Sequence, residues 1–181
     1  YLGPSYTDSE IKTSLKAIDT DKIKIIENYS NEKLVNYLID DAVIARFSGR
    51  MEFGQRALGN RSIIADPRQA SSIQKINDKI KFRDFWMPFT PSMLDRRAGD
   101  YLVNPKNLKS PYMTMAFDST AIASETLAGA IHPADRTVRP QILERERNPG
   151  YYELIEAFER QTGVGALLNT SFNLHGHPIV L

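Results

Sequence analysis

Between Phe47 and Ile63 the chain reads FSGRMEFGQRALGNRSI, and this stretch constrains the fold more than any other. Gly49, Gly54 and Gly59 alternate with Arg50, Arg56 and Arg61, and one carboxylate, Glu52, lies among them. The run Ala42-Val43-Ile44-Ala45 leads in and Ser62-Ile63-Ile64-Ala65 leads out, so a loop between two strands is expected. Glycine lets the backbone adopt positive φ or approach a ligand closely. Arginine offers a planar fork of donors suited to phosphate and carboxylate oxygens. On its residues alone the loop is either a polyanion cradle or a surface turn with solvated arginines.

The rest of the chain interleaves helix and strand signals. Thr7-Asp8-Ser9-Glu10 reads as a capping box before Ile11, Leu15 and Ile18. Lys22 to Ile26 alternates as a strand, and Ser30 caps a helix carrying Leu34, Val35, Leu38 and Ile39. Asp66-Pro67-Arg68-Gln69 predicts a helix start, with Ile73, Ile76 and Ile80 as its apolar stripe. Phe85 to Ser92, holding Trp86, reads as a buried extended segment, and Leu94 to Ser110 as a short helix and then a polar loop. Pro111 to Phe117 and Thr137 to Leu143 are strand candidates around an alanine-rich stretch, Ser119 to Gly129. Asn148-Pro149 opens a helix stopped by Gly163, and Gly165 to Leu168 and Pro178 to Leu181 read as two last strands. One α/β domain is the simplest architecture.

Charge and composition exclude several classes. Lys+Arg 23 against Asp+Glu 22 leaves a net charge of +1, too balanced for a protein that neutralises a long nucleic-acid backbone. Cysteine is absent, which excludes disulfides, thiolate metal sites and cysteine nucleophiles. No window is apolar enough for a membrane span and no leader pattern is present, so a cytoplasmic protein is the expectation. The start on Tyr1 and the stop on Ile179-Val180-Leu181 suggest an excised piece of a longer polypeptide.

Three further clusters accompany the loop. Lys81 and Arg83 on a strand would aim both cations at one face; at a helix end they would be a solvated pair. Asp135, Thr137 and Arg139 alternate in the same way, as a solvent face also does. Asn169, Ser171 and Asn173 could donate and accept around a phosphate, a ribose or a carbamoyl amide, or form a self-bonded polar turn. His175 and His177 share a side on a strand, but no third ligand is close in sequence, and no metal site is expected; His132 stands apart.

On these motifs the chain resembles the C-terminal region of the nodulation protein U and cephalosporin-type O-carbamoyltransferase family, from Tyr1-Leu2-Gly3-Pro4 almost to its end. Gly49 to Ser62, Asn77 to Arg83 and Asn169-Thr170-Ser171-Phe172-Asn173 carry the likeness. Gln55 stands where the family usually has proline. The run from His132 is displaced by one residue from the family's His-x-Asp-Gly-Thr-x-Arg, while Asp135, Thr137 and Arg139 keep their places. That region is similar to the YrdC-like fold, whose Lys-x-Arg and later Ser-x-Asn appear as Lys81-Phe82-Arg83 and Ser171-Phe172-Asn173.

The resemblance implies one YrdC-like domain over residues 1–181, with 1–41 as a lead-in and a twisted, mostly mixed sheet flanked by helices around a basic cavity. It implies binding of carbamoyl phosphate and of ATP, with Mg2+, and formation of carbamoyl-adenylate. An N-terminal transferase domain, absent here and carrying iron in the family, would pass the carbamoyl group to a hydroxyl acceptor. Arg50, Lys81 and Arg83 are the implied catalytic residues. Arg56, Arg61, Arg139, Thr137, Asn169, Ser171 and Asn173 are the implied substrate and nucleotide contacts, and Glu52 is expected to pin an arginine. A nucleic-acid-binding module and a purely structural support domain are the alternatives.

Overall fold

Every residue of the strand that leaves the glycine–arginine loop, β2 (Arg61–Ala65), is buried. A strand buried on both faces needs partners at its edges and layers above and below. In the computed structural model, which describes residues 1–19, 21, 23–82, 84 and 87–181, both are present. β2 pairs antiparallel with β1 (Ile44–Phe47) on one side and with β7 (Ala166–Ser171) on the other. β7 also pairs antiparallel with β3 (Thr90–Leu94), which runs parallel to β6 (Gln141–Leu143). The product is a mixed five-stranded sheet in the order β1-β2-β7-β3-β6. Pro91 lies in β3 one residue before β6 joins at Ser92, so its missing N–H falls where the strand has one neighbour.

Alternation along β2 sends Ile64 into one apolar cluster and Ile63 and Ala65 into another, as a period of two requires. The larger cluster is closed by α6 (Pro149–Thr162) and α2 (Asn31–Ile39), which bury Tyr151, Leu154, Ile155, Phe158, Val35 and Leu38. The Asn148 side chain accepts the Tyr151 N–H at 3.2 Å, Pro149 fills the first turn, and Gly163 ends the helix in the left-handed region. The smaller cluster holds Ile76 of α3 (Ala70–Ile76) with Phe89 and Leu168. Among the described residues no helix is long and apolar enough to cross a membrane.

The capping box forms: Glu10 accepts the Thr7 N–H at 2.8 Å and opens α1 (Asp8–Leu15). Ser30 caps α2 through the Lys33 N–H. Several expectations are corrected. Ile23 to Ile26 join no strand, having no ladder partner, and Lys22 lies outside the described residues. Asp66 does not cap a helix; Arg68 claims its carboxylate through its N–H and its guanidinium, and α3 starts later. Phe85 and Trp86 lie outside the described residues, and strand pairing starts at Thr90. Pro111 to Phe117 is not one strand, because Met113 has φ of 56° and only β4 (Phe117–Asp118) pairs, with β5 (Thr137–Val138). Thr137 to Leu143 divides at Pro140: β5 stays in that hairpin and β6 enters the main sheet. The alanine-rich stretch is a short helix, α5 (Ala121–Thr126), capped by Thr120. Pro178 to Leu181 does not form the expected last strand; the Val180 N–H donates to Phe172 C=O at 3.0 Å.

Gly59 is fixed from two sides. Its φ is +110°, and a Cβ there would lie 2.2 Å from the Tyr151 ring of α6. Gly59→Ala is expected to cost about 2–4 kcal/mol of stability through overpacking and backbone strain. Urea unfolding should show a lower midpoint at unchanged slope.

Candidate functional site

The loop between β1 and β2 is held by its carboxylate. Glu52 is 3% exposed, and its Oε1 accepts the N–H groups of Leu58 and Asn60 at 2.7 Å and of Arg61 at 3.3 Å. Glu52 thus holds the main chain of the returning limb, not an arginine side chain as expected. A charged acceptor is suited to this, because hydrogen bonds to an ionised group are the stronger ones. Gly3 and Met51 are tied as well: the Gly3 N–H donates to Met51 C=O, and the Met51 N–H to Pro4 C=O. The first residues of the chain therefore lie along the loop.

The three loop arginines have different surroundings. Arg61 is fully buried, its Cζ stacks 3.5 Å from the Phe47 ring centroid, and its Nη1 donates to the carbonyls of Ser48, Gly49 and Asn60. Burial draws its pKa below the ordinary arginine value, and the nearby Glu52 charge opposes that. Its charge is spent inside the loop. Arg50 is exposed and donates to Leu2 C=O at 2.9 Å. Arg56 is exposed at the loop tip and lines two adjoining cavities.

The first of these cavities, about 50 Å³, brings together Arg56, Arg139, Asn169 and Ser171, with Gln55 and Thr90 beside them. Four expected site residues from three separate parts of the chain thus share one wall. Arg139 stands at the exit of β5 and donates to Met113 C=O at 3.1 Å. The second cavity, about 430 Å³, shares Arg56 and Arg139 with the first. Through Phe53, Leu58 and Tyr112 it meets a third of about 500 Å³. The three cavities thus adjoin through shared lining residues, with polar and cationic side chains around the first and Phe53, Tyr112 and Tyr1 around the third.

Asn169, from β7, is 1% exposed and donates to Ser92 Oγ at 2.8 Å and to Ala57 C=O at 3.2 Å. Ser92 Oγ donates to Gln141 Oε1 at 2.7 Å, and Gln141 Nε2 donates to Leu58 C=O at 3.1 Å. This chain of bonds joins the sheet to the arginine loop. Ser92 and Gln141 were not among the expected site residues: a lone polar side chain in an apolar strand only becomes a signal once its strand is known to be buried.

Lys81 meets the Ser171–Asn173 pair directly. Helix α3 runs into a π-turn, Asn77–Lys81, that ends on Phe82 in the left-handed region. The turn buries Lys81, whose Nζ donates to Ser171 C=O and Asn173 Oδ1 at 2.5 Å, to Asn173 C=O at 3.0 Å and to Ser171 Oγ at 3.1 Å. Arg83 lies outside the described residues. Thr137 faces elsewhere: its hydroxyl donates to Asp135 Oδ1 at 2.8 Å. Bonds from the Thr137 N–H and hydroxyl lower the Asp135 pKa. His132 Nδ1 stands 3.1 Å from the same carboxylate, and His175 and His177 are exposed. No group of three metal-ligating side chains occurs among the described residues.

Among known families, residues 35–181 match the one described as Carbamoyltransferase C-terminus. An uncharacterized protein of Methanocaldococcus jannaschii is 41% identical over 184 residues, covering 99% of this chain and 30% of its own length. Nodulation protein NolNO of Sinorhizobium fredii is 42% identical over 149 residues, 82% of this chain and 22% of its own. The 3'-hydroxymethylcephem-O-carbamoyltransferase of Amycolatopsis lactamdurans is 33% identical over 150 residues, 83% of this chain and 28% of its own. The chain spans less than a third of the length of each.

Glu52→Ala would strand three N–H groups and remove a nearby negative charge that favours the buried Arg61 guanidinium. The expected loss of stability is about 3–5 kcal/mol. Amide exchange at Leu58 and Asn60 should rise above that of β7 at matched global stability. Unchanged exchange there would show that the carboxylate does not hold the loop.

Proposed function

The chain belongs to the carbamoyltransferase family through its C-terminal region, and from that premise we propose that it binds carbamoyl phosphate and ATP and forms carbamoyl-adenylate. The observation that carries this reading is the meeting of Arg56, Arg139, Asn169 and Ser171 on one cavity, with Lys81 bonded to Ser171 and Asn173. Two phosphorylated reactants repel each other unless cations compensate at close range. Arginines held by a braced loop and a strand end do so with little reorganisation.

In this reading water cleaves carbamoyl phosphate to carbamate and phosphate. A carbamate oxygen then bonds to the α-phosphorus of ATP as the bond to the β-phosphate breaks, and pyrophosphate leaves. Arg56 and Arg139 neutralise the phosphates, with Arg83 and Arg50 as further cations. Asn169 orients the carbamoyl amide, which offers both a donor and an acceptor. Lys81 keeps Ser171 and Asn173 in place and adds positive charge beneath them. Arg61 acts by shaping the loop, and Thr137 by shaping the turn before Arg139. The adjoining cavity lined by Phe53, Tyr112 and Tyr1 takes ribose and base. Mg2+ enters on the nucleotide's phosphates, which supply the oxygen ligands it prefers. Transfer to a hydroxyl acceptor, and any iron, belong to the remainder of a longer polypeptide.

ATP with carbamoyl phosphate is expected to raise the melting temperature, since ligands of the native state add apparent stability. Arg56→Ala and Arg139→Ala should each weaken binding by about tenfold to a hundredfold, as expected for a lost charge-assisted hydrogen bond. Calorimetric titration checks this, and pyrophosphate release checks the chemistry. Absence of binding both in residues 1–181 and in the longer polypeptide overturns the reading.

A further inference from the structure

The buried relay beside the first cavity has a direction, and that direction leaves one atom over. Leu58 C=O can only accept, so the end of Gln141 that meets it at 3.1 Å is Nε2. The other end, Oε1, takes the hydroxyl hydrogen of Ser92 at 2.7 Å. With that hydrogen committed, Ser92 Oγ accepts in turn from Asn169 Nδ2 at 2.8 Å. Ala57 C=O, also an acceptor only, meets the same Nδ2 at 3.2 Å. Gln141, Ser92 and Asn169 are all buried, and solvent does not compete for these bonds.

Two independent acceptors thus fix the Asn169 amide nitrogen, and its carbonyl oxygen is left facing away from them. Asn169 Oδ1 is buried and has no hydrogen-bond partner among the described residues. The residue cannot turn to relieve it, because its main chain lies in β7 between Ile64 of β2 and Thr90 of β3. A buried acceptor without a donor is costly, and native structures hold few of them. Asn169 lines the cavity that also brings in Arg56 and Arg139. The two guanidinium groups suit a phosphate, whereas Asn169 Oδ1 lacks a donor.

We propose that Asn169 Oδ1, set as an acceptor by Ser92 and Gln141, makes this cavity selective for an acyl phosphate that carries an N–H2 on its acyl carbon over one that carries a methyl group. The inference rests on reading the cavity as the carbamoyl phosphate site and names the part of the ligand that the wall distinguishes. Carbamoyl phosphate and acetyl phosphate have the same phosphate and nearly the same shape. The carbamoyl nitrogen donates to Asn169 Oδ1; a methyl group in its place leaves that oxygen unpaired. A site that hydrogen-bonds a group rejects the analogue lacking it more strongly than size alone allows. The N–H2 persists in carbamate and in carbamoyl-adenylate, so the same contact serves each stage. Ser92 acts through Asn169 and is a positioning residue.

Calorimetric titration of residues 1–181 with carbamoyl phosphate and with acetyl phosphate, ATP absent, tests the proposal; the longer polypeptide is titrated if neither binds. Carbamoyl phosphate is expected to bind at least about tenfold more tightly than acetyl phosphate. Asn169→Ala should bring the ratio of the two affinities to about one, and Ser92→Ala should lower it at least about threefold. A purely structural loss would weaken both ligands alike and leave the ratio where it was. Equal affinities in the unaltered chain overturn the proposal and assign Asn169 Oδ1 to a bound water. An unchanged ratio in Ser92→Ala overturns it as well, since the relay would then not set the amide. Binding of neither ligand to either protein strikes the functional reading and this inference with it, whereas equal binding of both strikes this inference alone.

Discussion

One buried carboxylate oxygen, Glu52 Oε1, gathers three main-chain N–H groups and so decides the course of the glycine–arginine loop. The bonds from Asn60 and Arg61 are buried, so those N–H groups would be left unsatisfied without it. The oxygen's position sets where Leu58 and Asn60 lie, and their positions set the rest. Leu58 C=O receives Tyr1 and Gln141, and Asn60 bridges Arg50 C=O to Asn148, the residue that caps α6. Gly59, between them, lets the Tyr151 ring close over the backbone. A loop that looks permissive on paper is therefore among the most tightly specified parts of the molecule.

The same bracing divides the labour among arginines that look alike in sequence. Arg61 stiffens the loop from inside, and Arg46 does related work from β1 by donating to Gly59 C=O at 2.8 Å. Arg56, at the tip, keeps its guanidinium for the cavity it shares with Arg139. The buried relay from Asn169 through Ser92 and Gln141 to Leu58 holds that tip in register with the sheet. Removing Ser92 or Gln141 would break the relay, although Asn169 would keep its bond to Ala57 C=O and Leu58 C=O its bond from Tyr1.

Local signals were readable in advance. The Thr7 box, the Ser30 cap, the Asn148-Pro149 start and the Gly163 stop all act within a few residues, and each appears where the residues placed it. Competition between neighbours was not readable: Asp66 had to choose between a helix and Arg68, and Arg68 prevailed. Nor was the split at Pro140, which depends on two sheets being near one another. For the candidate site, Asn169 and Ser171 of the alternating row line the cavity shared with Arg56 and Arg139, while Arg61 carried no sign that its charge would be turned inward. The π-turn that delivers Lys81 was illegible because its sequence, NDKIK, suits an ordinary helix end.

Lys81 also bears on how the chain reaches its native state. Its bonds to Ser171 and Asn173 close intervals of 90 and 92 residues, about half the molecule. Contacts so distant form late, after the loop-closure entropy has been met by other elements. The Ser171–Asn173 turn, the helix end and the strand it follows must all be in place before that ammonium can bond to Ser171 and Asn173. A chain that had assembled its helices but mispaired β7 would therefore leave the Lys81 ammonium without these acceptors.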